Sequence, residues 1–200
     1  IGVDIVEVDV RSTKDGHLIL LHDEDFNRIA GIDVKARDIS LQDAKNMRIK
    51  GEPIATLEEA IITTDSSVGL FIEIKEPEIT ESVIDLVKDY SAEKWSAIIS
   101  FYDDALVRAR KKSASIITGL IYFKPPGRVF DAKNLGAKIV LPRYPLATKK
   151  ANAMAHKLGL YVVAWTVNKI EVARKLLEAN VDGIASDYPD KLVQFRNQKN

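Results

Sequence analysis

Residues 70–75 read Leu-Phe-Ile-Glu-Ile-Lys, and their alternation decides the fold. In an extended chain successive side chains point to opposite faces. Ile72 and Ile74 then share one face, while Phe71, Glu73 and Lys75 share the other. Residues 3–10 repeat the design: Val6, Val8 and Val10 are uniformly aliphatic, and Val3, Ile5, Glu7 and Asp9 form the opposite row. In a barrel the aliphatic row packs on helices and the other row points inward. Glu7, Asp9 and Glu73 then lie near the C-terminal ends of their strands, where barrel enzymes hold their chemistry.

Outward from these two runs the pattern is regular. Aliphatic runs begin at 70, 97, 116, 138, 160 and 183, and segments of helical periodicity lie between them, at 56–64, 78–90, 103–112, 146–158, 168–179 and 189–196. Runs that are apolar on both faces suit parallel strands covered by helices. The class is α/β, and the even spacing predicts a (β/α)₈ TIM barrel, with seven of its eight strands visible in this chain. A doubly wound open sheet is the alternative, but no Gly-x-Gly-x-x-Gly or phosphate-loop motif follows a strand. The natural place for the eighth strand is before Ile1, which opens the chain in place of a methionine. Residues 1–200 read as one domain, with residues 23–55 as an insertion on the barrel rim. Within it a short helix is expected around residues 40–48, with Ser40 as N-cap and Asp43 in its first turn.

Composition bounds the function. With 29 Lys+Arg against 29 Asp+Glu the formal charge is zero, so there is no global field to hold nucleic acid. The absence of cysteine excludes disulfides, thiolate metal sites and a thiol nucleophile. No apolar run approaches the roughly 20 residues of a membrane span. A cytoplasmic location is expected, unless a segment before Ile1 carried a signal.

Three carboxylates at a low-dielectric mouth repel one another. Either they take up protons, or a cation holds them, for which an all-oxygen set suits Mg²⁺ or Ca²⁺, or Glu7 and Glu73 pair with Arg11 and Lys75 and bind nothing. The run at 17–21 follows too soon after Val10 for a parallel crossover, so it must return as a hairpin. A two-residue Asp15-Gly16 turn sets Val10 opposite Leu21 and Asp9 opposite His22, on the face that carries Glu7. His22 is then either an acid/base group beside the carboxylates or a structural partner of Asp9. His17 and His156 are expected to face solvent. The loop at 123–128, Phe-Lys-Pro-Pro-Gly-Arg, is either a gate with a basic edge or a rigid connection.

An ordered set of motifs now carries a resemblance. Glu7-Val8-Asp9-Val10-Arg11, Thr13-Lys14-Asp15-Gly16 and Leu20-Leu21-His22-Asp23 resemble the hairpin of glycerophosphodiester phosphodiesterases. Asn27-Arg28, Ala55-Thr56-Leu57-Glu58-Glu59 (with Ala55 in place of proline) and Ile72-Glu73-Ile74-Lys75 follow in the family's order. So do Trp165-Thr166-Val167-Asn168, Asp182-Gly183-Ile184 and Ser186-Asp187-Tyr188-Pro189-Asp190.

The resemblance implies a barrel enzyme that hydrolyses small glycerophosphodiesters to glycerol 3-phosphate and an alcohol. It implies one divalent cation, Mg²⁺ or Ca²⁺, on Glu7, Asp9 and Glu73, which neutralises phosphate oxygens and activates the attacking glycerol hydroxyl. His22 would be an acid or base for the departing alcohol, and Lys75 would sit over the phosphate. Trp165 would wall the pocket against the glycerol, or serve as ordinary barrel packing. The family pattern opens with a strand ending in His-Arg-Gly and a helix introduced by Glu-Asn-Thr. These supply a second acid/base and a phosphate grip, and neither is in this sequence. If that unit is truly gone, little activity is expected and the chain is a scaffold or binding module; if it was trimmed, the parent protein is expected to be active. A related phosphodiesterase of sphingomyelinase D-like type is the remaining alternative.

Overall fold

A computed structural model describes residues 1–49 and 51–198. Seven parallel strands curl in the order of the chain: β1 (Ile5–Ser12), β7 (Gly69–Ile74), β8 (Ser96–Ser100), β9 (Ile117–Tyr122), β10 (Ile139–Pro142), β11 (Tyr161–Ala164) and β12 (Gly183–Ile184). The antiparallel β2 (Leu18–Leu20) extends the sheet beyond β1. Among the described residues β1 and β12 form no ladder with each other. Arg196 spans this side instead, bonding Asp4 Oδ2 at 2.6 Å and the carbonyl of Gly2 at 2.7 Å.

The expected alternation holds. Val10, Leu70, Ile72, Ile74 and Ile98 are fully buried between the sheet and helices α3 (Leu57–Thr64), α4 (Thr80–Asp89) and α5 (Asp103–Lys112). Phe71, Ala97, Ile99, Ile121, Ile139 and Leu141 fill the barrel interior. Burial of each large aliphatic side chain contributes about 1.5–3 kcal/mol. Gly119 lies within the interior layer because nothing larger fits: a Cβ there would stand 2.7 Å from Leu141 Cδ1.

Local sequence explains the helix boundaries. Thr56 and Glu59 form a capping box at the start of α3, each side chain bonding the other's backbone N–H. In α5, Asp103 and Asp104 occupy the first turn and Arg110, Lys111 and Lys112 the last, which complements the helix dipole at both ends. Helix α7 (Lys149–Lys157) stops at Gly159, whose φ of 74° is the left-handed conformation that ends a helix. The remaining layer helices are α8 (Ile170–Glu178) and α9 (Pro189–Asn197). Outside the insertion, α6 (Val129–Asn134) was not expected. It spans only six residues behind a Pro-Pro-Gly segment, too short to show a helical period.

The insertion at 23–55 carries β3 (Asp25–Phe26), α1 (Asn27–Ala30), β4 (Ile32–Lys35), α2 (Leu41–Asn46), β5 (Arg48–Ile49) and β6 (Glu52–Pro53). Ser40 caps α2 as expected, accepting from the N–H of Asp43. The insertion has its own small core of Phe26, Ala36, Ala44 and Ile54 against Ile19 and Leu21.

The hairpin register differs from expectation by one residue. Val10 pairs with Leu20, Arg11 with Ile19 and Ser12 with Leu18. Thr13 and His17 close the turn, so the loop is Lys14-Asp15-Gly16, with Gly16 at φ 82°. This is the three-residue hairpin with a glycine in the left-handed position, rather than the two-residue turn. Leu18 and Leu20 join the layer that holds Val10, and Ile19 and Leu21 face the insertion. Asp15 also accepts from the N–H of Leu41 at 3.0 Å, and Leu20 donates to the carbonyl of Ala55 at 2.8 Å.

Candidate active site

The inward rows of β1 and β7 end at one mouth of the barrel. Their parallel register sets Asp9 directly beside Glu73 and Glu7 beside Phe71. One carboxylate oxygen from each of Glu7, Asp9 and Glu73 lies within 4.8 Å of the other two. Two oxygens that share an ion at about 2.4 Å can stand no more than about 4.8 Å apart, so the set fits one hard cation. It offers only oxygen donors, as Mg²⁺ and Ca²⁺ require and zinc does not.

Lys75 enters the cluster from the end of β7. Its Nζ lies 2.8 Å from Asp9 Oδ1 and 2.5 Å from Glu73 Oε1. Lys75 thus pairs with Asp9 and Glu73 and leaves Glu7 out, while Arg11 pairs with Glu76 at 3.0 Å rather than with Glu7. Electrostatics follow from this placement. Desolvation, then repulsion from Asp9 and Glu73, push the Glu7 carboxyl up to about 8, against the pull of Lys75. Glu7 still borders water at the unpaired edge of β1, which makes the repulsion from its two neighbours the firmer cause. Burial raises Glu73 as well, opposed by Lys75. Burial alone would lower Lys75, but its pairing with Glu73 and Asp9 holds it above the ordinary lysine range.

His22 reaches the same mouth by a route other than the expected one. It does not pair across from Asp9; Leu21 takes that place, donating to the Asp9 carbonyl at 3.0 Å. The strand ends at Leu20, and the guanidinium of Arg11 holds the His22 carbonyl through Nε at 3.2 Å and Nη2 at 3.1 Å. The side chain, 62% exposed, lines a cavity of about 230 Å³ together with Glu7, Val8, Asp9, Leu20 and Leu21. Its Nδ1 lies 2.7 Å from Asp23 Oδ1. Bonds from Arg28 and then His22 hold the Asp23 carboxyl down at about 2, so it is ionised and can only accept. Nδ1 is therefore the donor, and Nε2 is left free to exchange a proton.

Across the mouth, Trp165 lines a larger cavity of about 400 Å³ with Phe123, Arg143, Tyr144 and Thr166. Its indole N–H donates to the Leu141 carbonyl at 2.7 Å, which fixes the ring, and Phe101 packs edge-on against it. Phe101 also packs edge-on against Phe123. The functional candidates that the sequence reading missed are Glu76, which anchors Arg11, and Arg143. The signal for Arg143 was present: it stands two residues beyond Leu141, on the inward row. Of the other histidines, His17 faces solvent, whereas His156 is held 2.8 Å from Asp182 Oδ2, a half-buried partner rather than a solvent-facing ring.

Among the described residues no helix is long and apolar enough to cross a membrane. Comparison with known proteins agrees with the architecture. The chain is 30% identical over 212 residues to a glycerophosphodiester phosphodiesterase of Caldanaerobacter subterraneus subsp. tengcongensis, covering 98% of this chain and 86% of the relative. It is similar in fold to a solved glycerophosphodiester phosphodiesterase from Thermotoga maritima, with a TM-score of 0.78 and 26% identity, over 94% of this chain and 84% of that one. An Oleispira antarctica phosphodiesterase, solved in complex with the product sn-glycerol-3-phosphate, aligns with a TM-score of 0.87 at 24% identity, over 96% of this chain and 85% of that one. These neighbours have the TIM-barrel fold, to which the curled parallel sheet conforms. Residues 1–191 match the model of the glycerophosphoryl diester phosphodiesterase family, and the chain belongs to that family of phosphoric diester hydrolases.

Proposed function

We propose that the chain hydrolyses glycerophosphodiesters to glycerol 3-phosphate and an alcohol, with a divalent cation, Mg²⁺ or Ca²⁺, held by Glu7, Asp9 and Glu73. The charge balance of the mouth carries this reading. Three carboxylates converge on one point against the single ammonium of Lys75, and without a cation Glu7 relieves the crowding by keeping a proton up to about pH 8. A divalent cation takes the place of that proton and, with Lys75, balances all three carboxylates; ion pairing within the protein does not. When bound, such a cation withdraws charge from phosphate oxygens and favours deprotonation of the attacking hydroxyl.

The remaining roles belong to side chains. Lys75, held by two acids at the mouth, offers its one remaining N–H donor to a phosphate oxygen, where charge builds. His22, with Nδ1 committed to Asp23, carries a proton on Nε2 toward the departing alcohol oxygen. The face of Trp165 receives the carbon side of the glycerol, its N–H being already satisfied. The relative from Oleispira antarctica, which holds sn-glycerol-3-phosphate, supports the choice of product.

The test is hydrolysis of glycerophosphocholine and glycerophosphoethanolamine with Mg²⁺ or Ca²⁺, with and without chelator, beside His22→Ala and Glu73→Gln. Release of glycerol 3-phosphate that chelation abolishes is expected. Loss of general acid/base help lowers turnover by about 10²–10⁴-fold in His22→Ala. Unchanged turnover in that variant removes His22 from the mechanism.

A further inference from the structure

The cavity beside Trp165 holds a cation that the hydrolytic chemistry above leaves unused. Arg143 follows β10, whose Ile139 and Leu141 point into the barrel. The ladder continues past the strand end: the Arg143 N–H donates to the Tyr122 carbonyl at 2.8 Å, and Arg143 bridges to Trp165 in parallel register. The alternation therefore persists, and Arg143 keeps the inward side of Leu141. Its side chain lines the cavity of about 400 Å³ with Phe123, Tyr144, Trp165 and Thr166.

Cations on the acidic side of the mouth are neutralised, whereas Lys124 stands with its Nζ 5.1 Å from the Phe123 ring centroid. Lys75 has Asp9 and Glu73, Arg11 has Glu76, and Arg128 has Asp103 and Asp131. Among the described residues Arg143 makes no ion pair and no side-chain hydrogen bond. A guanidinium presents five N–H donors in a planar fork that matches a carboxylate bidentately. Arg143 is exposed, so these donors are open to solvent and to a ligand.

Geometry links the cavity to the acidic cluster. Glu73 pairs with Ile99, so Lys75 and Phe101, each two residues further on, end adjacent strands on the inward side. Phe101 then packs against both Trp165 and Phe123, with centroids at 5.6 and 5.9 Å. An aromatic shelf thus runs from the lysine to Arg143. A three-carbon glycerol fills only part of such a cavity, the part against Trp165. The space in front of Phe123 and Arg143 takes the other arm of the diester. Aromatic walls attract a quaternary ammonium, but an unpaired guanidinium among them repels it.

We propose that Arg143 forms a subsite for a carboxylate on the departing alcohol, so that the chain prefers glycerophosphodiesters whose alcohol is acidic. This rests on the phosphodiesterase reading above. The planar fork of a single guanidinium matches a monoanionic carboxylate bidentately.

Glycerophosphoserine and glycerophosphoethanolamine differ by one carboxylate, so the ratio of their kcat/KM values reads this subsite directly. The ratio is expected to favour the serine ester by roughly 5- to 20-fold, a charge-assisted contact in a partly wet cavity. In Arg143→Met it falls to about one, and Arg143→Lys, which keeps the charge but loses the fork, recovers part of it. A ratio near one in the unaltered chain, or one that survives Arg143→Met, overturns the subsite while leaving the diesterase reading intact. Calorimetry with phosphoserine and phosphoethanolamine separates the opposite case. If no diester is hydrolysed but phosphoserine binds more tightly through Arg143, a carboxylate site at Arg143 stands, while the diesterase reading and with it the departing-alcohol role fall. If neither hydrolysis nor preference is seen, both fall.

Discussion

Binding of a divalent cation should stabilise this chain, and by an amount that grows with pH because of Glu7. At a cation concentration of 100 times Kd, binding adds about 2.7 kcal/mol to the folded state. A domain of this size has an unfolding entropy of roughly 0.4 kcal/mol per degree, so the melting temperature rises by about 6 °C. The pH dependence comes from the proton that the ion displaces. Glu7 is pushed up to about 8 from the ordinary glutamate value of 4.5, so roughly nine-tenths of it is protonated at pH 7 and one-tenth at pH 9. Apparent affinity therefore rises about tenfold between these pH values, which is about 3 °C more at a fixed cation concentration well above Kd. Without metal the sign reverses. The folded state keeps a proton that the unfolded chain gives up, so metal-free stability falls as pH rises from 4.5 through about 8. Scanning fluorimetry with Ca²⁺ or Mg²⁺ titrated at pH 7, 8 and 9 measures both trends. In Glu7→Gln the metal shift shrinks and loses most of its pH dependence. A shift that is equal at pH 7 and 9, or one that Glu7→Gln leaves untouched, refutes the assignment of Glu7 as a ligand.

Two further outcomes follow from other parts of the fold. Gly119→Ala forces a methyl group against Leu141 Cδ1 at 2.7 Å and Ile99 Cγ2 at 3.1 Å inside the barrel, and should cost about 1–3 kcal/mol in urea unfolding. Asp23→Asn removes the ionised acceptor of His22 and should lower kcat in steady-state assays by about 10- to 100-fold, as loss of an orienting carboxylate does elsewhere.

Much of the architecture was legible because period-two alternation survives packing. Val10, Ile72 and Ile74 lie outward, and Phe71, Glu73 and Lys75 inward, as their order in the chain requires. That logic brought Glu7, Asp9 and Glu73 to one point without any knowledge of their neighbours. It failed where the count of residues in a turn matters. Asp15-Gly16 marks a hairpin in either a two- or a three-residue loop, and only the closure by Thr13 and His17 distinguishes them. His22 nevertheless arrives at the carboxylates, because Arg11 seizes its carbonyl where the ladder ends. Such long-range capture, like that of Arg11 by Glu76, leaves no periodic trace. The same holds for His156, whose partner Asp182 is 26 residues away.

The hairpin that carries His22 is fastened to the insertion at both of its ends, at Asp15 by the start of α2 and at Leu20 by Ala55. Residues 23–55 are thus keyed to the reactive mouth rather than appended to it. Backbone amides of the hairpin and of the insertion should open as one cooperative unit, slower than either would alone. Chain segments far from any carboxylate then govern how firmly the imidazole is aimed, and divergence within them is a route by which related barrels could retune turnover while their acidic residues stay the same.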